Sequence, residues 1–162
     1  MSLEGARTGR EHPALNAQNA PIIDLTFDST FRWVRRAVHE SMDALEPCGL
    51  APEFMGSIEI VLAEALNNIV EHAYPATEPG KIRLLLRLRS AGVLVEIRDQ
   101  GRSMPGGRIP LGNHPMSEFN TDAMPEGGYG WYLIRELVHD LIYDRQNDEN
   151  VLIFRMGFAP SK

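Results

Sequence analysis

Cysteine, basic charge and uninterrupted apolar sequence are all in short supply here, and each shortage removes a class of protein. One cysteine, Cys48, among 162 residues leaves no internal disulfide, which excludes a small secreted scaffold held by crosslinks. Beside the turn EPCGLAPE, it reads as an ordinary small residue rather than a reactive thiol. No apolar run approaches the roughly 18 residues that a membrane helix needs, so no membrane association is expected. The N-terminus lacks the charged start and apolar core of a secretory signal, and a reducing cytoplasm is the expected compartment. With 16 Lys and Arg against 22 Asp and Glu, the net charge is −6. The basic residues are scattered rather than banded, so direct binding to a nucleic acid is not expected. What is present, 43% hydrophobic and 23% charged residues, describes one domain able to bury a real core.

Residues 1–20 mix Gly, Pro, Asn and Gln without periodicity and read as a flexible leader, and 158–162 read as a tail. The folded domain is expected over 21–157. PIIDLTF alternates enough for an edge strand, and DSTFRWVRRAVHESMDALEP is an amphipathic helix with Ser29 or Thr30 as its N-cap and Pro47 and Gly49 as its stop. A second helix is predicted from Pro52, which suits a first turn, to Tyr74, where Pro75 halts it. KIRLLLRLRS and GVLVEIRD then read as a hairpin, as do LIYDR and VLIFRM near the end. Between the hairpins lie a long Gly- and Pro-rich loop and a helix beginning near Gly130. This order predicts an α+β fold, a two-layer sandwich with helices on one face of a mixed, mostly antiparallel sheet.

Three stretches carry chemistry. In EALNNIVEHAY, Glu64, Asn68 and His72 are spaced four apart, and Phe54, Ile58, Val61, Leu62, Ala65, Leu66 and Ile69 form the stripe that faces the core. Glu64 and Asn68 fall on its border, and His72 drifts toward the apolar side. In VEIRDQGRSMPGG, a strand ends in Asp99 with Gly101 two residues on; a carboxylate there can accept from an exocyclic amine, and the glycine leaves room for backbone to approach a ligand. An ordinary turn also reads this way. In EGGYGWYLIREL, Gly127, Gly128 and Gly130 lead into a helix, which offers free backbone N–H groups and a positive dipole end to phosphate. The same glycines suit a hinge, and no Walker lysine follows.

In this order the three stretches resemble the boxes of the GHKL (Bergerat) ATP-binding family shared by gyrase, histidine kinases, certain chaperones and mismatch-repair proteins. The glutamate and asparagine box is matched by Glu64, Asn68 and His72, the Asp-x-Gly box by Asp99 and Gly101, and the glycine box by Gly127, Gly128 and Gly130. NNIVEHAY and GGYGWYLIREL look more narrowly like the anti-sigma factor serine kinases of RsbW type, with the likeness covering about residues 21–156. There are two departures from the family pattern: where the second box often continues to another glycine this chain has Ser103 followed by Met104 and Pro105, and Trp131 stands where leucine is common.

The resemblance implies ATP and Mg²⁺ as cofactors. Asn68 is then the protein ligand to the metal, Glu64 the base that deprotonates or orients the attacking hydroxyl, and Asp99 the acceptor for adenine. Residues 102–126 become a lid, from which Arg102 or Arg108 could reach a phosphate, while His72 braces the site. The implied partners are a sigma factor and an antagonist bearing a phosphoacceptor serine, with the chain a homodimer. Two alternatives accompany this reading. One is an ATP-binding anti-sigma or adaptor module without phosphotransfer. The other is the catalytic domain of a histidine kinase, which residues 1–20 support poorly because no helical hairpin with an acceptor histidine is legible there. His39 lies inside the domain's first predicted helix and reads as a surface residue.

Overall fold

The computed structural model describes residues 20–112 and 128–157. Most of the expected leader, the greater part of the expected lid, Gly127 and the tail lie outside the described residues. The chain runs β1 (Ile23–Asp28), α1 (Phe31–Leu45), α2 (Pro52–His72), β2 (Lys81–Arg89), β3 (Gly92–Asp99), α3 (Tyr129–Leu137), β4 (His139–Gln146) and β5 (Glu149–Gly157). Thr30 caps α1, its hydroxyl oxygen accepting from the Trp33 amide at 3.4 Å. Ser29, the other capping candidate, is buried and accepts from the Gly80 amide at 2.9 Å instead. Past Leu45 a short 3-10 turn containing Pro47 ends at Gly49, whose φ of 67° reverses the chain in the left-handed region that glycine enters without strain.

The five strands lie in the order β1, β2, β3, β5, β4. The sheet was expected to be mixed and is antiparallel at every described pairing. The reason is local: β2 joins β3, and β4 joins β5, by tight hairpins, and the long connections return chains in the opposing sense. At the second hairpin Asn147 and Asp148 hold φ of 51° and 62°, the backbone twist that a two-residue turn between right-twisted strands requires.

Alternation decides which face is dry. Ile82, Leu84 and Leu86 of β2, Val93, Val95 and Ile97 of β3, and Leu152, Phe154 and Met156 of β5 are buried and share a core with Val34, Ala37, Val38 and Leu45 of α1. Helix α2 adds Ile58, Val61, Leu62, Ala65, Leu66 and Ile69, the three- and four-residue spacing of one helix face. Each fully buried aliphatic side chain of this kind contributes roughly 1.5–3 kcal/mol. The opposite sheet face carries charge: Arg87 and Arg98 flank Glu96, and Arg98 also meets Glu149 at 2.7 Å. Among the described residues no helix is long and apolar enough to cross a membrane.

The core places polar residues at one end of its own face. Asp99 ends β3 and is paired with Asn150 of β5, in register with the apolar pairs above them, and both are buried. Helix α2 stops at His72, two residues short of the predicted end, because Tyr74 is used elsewhere. Its hydroxyl accepts from the Gln100 amide at 2.7 Å and donates to the Lys81 carbonyl at 3.1 Å.

Candidate functional site

Glu64 and Asn68 sit one turn apart on the border of the buried face of α2, each half-buried. Loss of water around Glu64 raises its pKa above the ordinary carboxylate value, with a smaller contribution from repulsion by Glu71. The side-chain nitrogen of Asn68 is buried without a hydrogen-bond partner among the described residues. An orphaned donor of this kind costs stability unless something occupies it. Across from both, α3 begins with Gly128 as its cap. A Cβ on Gly130 would collide with the Glu64 carboxylate and lie 3.8 Å from the Asn68 nitrogen. The last glycine of the expected phosphate joint therefore brings α3 against the carboxylate of α2.

Asp99 is held from two directions. Its Oδ1 accepts from the Gly101 amide at 2.8 Å and from the Asn150 side-chain nitrogen at 2.9 Å; Oδ2 takes part in neither bond. Burial raises the Asp99 pKa, and the bonds from Asn150 and Gly101, with the nearby Arg145 charge, oppose that rise. Asn150 also donates to the Gly101 and Arg102 carbonyls, and its oxygen accepts from the Tyr143 hydroxyl and the Arg145 guanidinium, both at 2.7 Å.

Asn68, Asp99, Tyr143 and Asn150 border a cavity of about 420 Å³ whose walls also include Ile69 and His72 of α2, Trp131 of α3, and Leu152. Arg102, Ser103, Met104 and Pro105 close one side. Of the predicted site residues, the structure brings Asn68, Asp99 and His72 to one cavity, with Glu64 one turn behind Asn68 and Gly130 against it. Arg102 lines the cavity; Arg108 is exposed and does not.

One expectation is corrected. His72 was placed toward the apolar side, and its side chain is 60% exposed, 3.7 Å from Glu71. The helix reaches the end of β3 at this point, so the buried position under the following turn goes to Ala73. At Gly101, read as room for a ligand, the side where a Cβ would stand belongs to Ala73: a Cβ there would come within 2.6 Å of the Ala73 Cβ and carbonyl oxygen. The Arg102 amide bonds to that same carbonyl at 2.8 Å. The Asn150, Tyr143 and Arg145 bracket was missed altogether. Its signal was present in ENVLIFRM, where Asn150 occupies the inward register shared by Leu152, Phe154 and Met156. A polar residue in an apolar register requires a partner.

Residues 27–156 match the family described as histidine kinase-like ATPase domain. The chain belongs to this family. Its curated relatives include the serine/threonine-protein kinase BtrW of Bordetella bronchiseptica, 36% identical over 97 residues that make up 60% of this chain and 66% of that protein. The serine-protein kinase RsbW of Oceanobacillus iheyensis is 28% identical over 99 residues, 60% of this chain and 63% of the relative. The matched segment thus spans slightly less than two thirds of either protein. Among solved structures, a histidine kinase domain from the blue-light activated histidine kinase of Erythrobacter litoralis EL346 aligns with 86% of this chain and 62% of its own, at 17% identity and a TM-score of 0.49. For this ATPase-family domain, the antiparallel sheet with its helices is the family fold.

Proposed function

We propose that this domain is an ATP-dependent serine-protein kinase of partner-switching type, an anti-sigma factor that holds a sigma factor and phosphorylates a serine on an anti-sigma factor antagonist. The observation that carries the reading is the half-buried Glu64 carboxylate, one helical turn before the cavity-lining Asn68 and pressed against Gly130. The names of the relatives, both protein kinases that act on serine, supply the reaction class.

The residues present fit an adenine nucleotide with Mg²⁺. The unpartnered amide of Asn68 lines the cavity and needs a ligand there. Turned so that its oxygen faces inward, it suits a hard cation that keeps most of its waters. The metal, when bound, neutralises charge on the triphosphate. Asp99 accepts the exocyclic amine through Oδ2, the oxygen not used by Asn150 or Gly101. Gly128 and Gly130 open α3 with backbone N–H groups for the phosphates, a role proposed for Gly127 as well on the sequence alone, and Arg102 stands at the cavity wall. Glu64 takes the proton of the acceptor serine hydroxyl, whose oxygen receives the terminal phosphoryl group as ADP leaves. A carboxylate whose pKa is lifted by burial is a better base near neutrality than an exposed one.

Transfer of labelled γ-phosphate to a purified antagonist, run beside an ATP titration, tests this. Glu64→Gln is expected to bind Mg-ATP like wild type and to transfer roughly 10²-fold more slowly. Wild-type protein that binds Mg-ATP and the antagonist yet transfers nothing would leave an ATP-binding anti-sigma or adaptor module in place of a kinase. The domain is also proposed to be a homodimer, since Phe31 and Trp33 of α1 are 54% and 38% exposed and β1 is an edge strand. A monomer mass by light scattering at tens of micromolar refutes the dimer.

A further inference from the structure

Arg145 lies outside the cavity lining, yet it fixes the one oxygen pattern on which purine recognition depends. Its Nη1 donates to the Asn150 side-chain oxygen at 2.7 Å and to the Gly101 carbonyl at 2.9 Å. A guanidinium can only donate. The Asn150 amide must therefore keep its oxygen toward Arg145 and its nitrogen toward Asp99, where that nitrogen reaches Oδ1 at 2.9 Å. The Tyr143 hydroxyl reinforces this orientation. It accepts from the Met104 amide at 3.1 Å, so its own proton is free to go to the Asn150 oxygen at 2.7 Å. Flipping the amide would set its nitrogen against the guanidinium and leave Asp99 Oδ1 with one donor fewer.

We propose that Arg145 is a positioning residue for the purine base: acting through Asn150, it commits Asp99 Oδ1 to the protein and presents Oδ2 to the exocyclic amine of adenine. The inference rests on the nucleotide-binding reading above. Without Arg145 the Asn150 oxygen keeps only the Tyr143 hydroxyl and the Gly101 carbonyl loses its charged donor, so the bracket that fixes the Asp99 carboxylate loosens, while the Gly101 and Arg102 carbonyls still hold the amide nitrogen. The loss falls on the contact to the amine rather than on the triphosphate or on stacking against the cavity wall.

The test uses the contrast between ATP and purine riboside 5′-triphosphate, which is ATP without the exocyclic amine. Both are titrated calorimetrically into wild type and Arg145→Met, with thermal unfolding recorded beside them. Wild type is expected to favour ATP. Arg145→Met should bind ATP about tenfold more weakly, the loss of one charge-assisted hydrogen bond, and should bind the analogue within about twofold of wild type. Should Arg145→Met not fold, Arg145→Gln provides the same comparison, because it removes the charged, donor-only group that faces the Asn150 oxygen while keeping a polar side chain. An equal loss for both nucleotides would assign Arg145 a purely structural role and overturn the inference, as would undiminished discrimination in a folded variant. Wild type that binds neither nucleotide overturns the nucleotide reading itself, and this inference with it.

Discussion

Replacing Asp99 by asparagine should separate recognition from stability, because the two draw on different oxygens. In Asp99→Asn the amide oxygen can still accept from Asn150 and from the Gly101 amide, bonds of 2.9 and 2.8 Å in the wild type, and side-chain volume hardly changes. What changes is the group facing the cavity: an NH₂ replaces Oδ2 and meets the exocyclic amine donor to donor. Loss of a hydrogen bond to a charged acceptor costs about 1–3 kcal/mol, or roughly 5- to 150-fold in affinity for ATP. Folding should not suffer, because burial raises the Asp99 pKa, and the ionised group therefore opposes folding. Between the ordinary carboxylate value and the raised one, the folded protein holds a proton that the unfolded chain has released, so wild-type stability falls as pH rises through that window. Asp99→Asn removes this dependence and should melt at or above the wild-type temperature near neutrality. Calorimetric titration with Mg-ATP and denaturation over a pH series check both halves. Unchanged ATP affinity would remove Asp99 from the site, and a large drop in melting temperature would refute the assignment of its bonds.

Asn68→Ala should weaken Mg-dependent ATP binding and phosphotransfer together while leaving the melting temperature nearly unchanged, since the side-chain nitrogen it deletes has no partner to lose; a variant that transfers at the wild-type rate would dismiss Asn68 as a metal ligand. Gly101→Ala should destabilise by about 1–3 kcal/mol, the typical cost of overpacking, because the added methyl meets the Ala73 backbone at 2.6 Å. Chemical denaturation measures this, and a neutral result would show that the joint yields.

The elements with strong periodicity are legible in the sequence because one physical demand dominates them. The stripe of α2 answers only to the core, and the two hairpins to their turns. The candidate residues Glu64, Asn68 and Asp99 are legible for a related reason: each is polar at a position where the local pattern calls for apolar or border character. His72 fails because helical periodicity knows nothing of where the sheet stops, and the Ala73 contact at Gly101 was not foreseen because local sequence cannot say which side of a glycine a neighbouring helix will occupy. Arg145 and Tyr143 are invisible for a third reason. Each is an unremarkable residue on an edge strand until the pairing of β4 with β5 sets Tyr143 opposite Leu152 and Arg145 opposite Asn150, on the inward face.

The pairing of β3 with β5 has a kinetic consequence. Strands β2 and β3, like β4 and β5, meet across short turns and can find each other early, whereas Asp99 and Asn150 are 51 residues apart in the chain and must close a large loop before any contact rewards it. The candidate base-recognition pair therefore spans a joint whose assembly is entropically slow, while Glu64 and Asn68 arrive ready-made on a single helix. A chain arrested before that closure would carry the helix residues in place and have no acceptor for the base, so competence to select a nucleotide would mark the end of folding rather than its beginning.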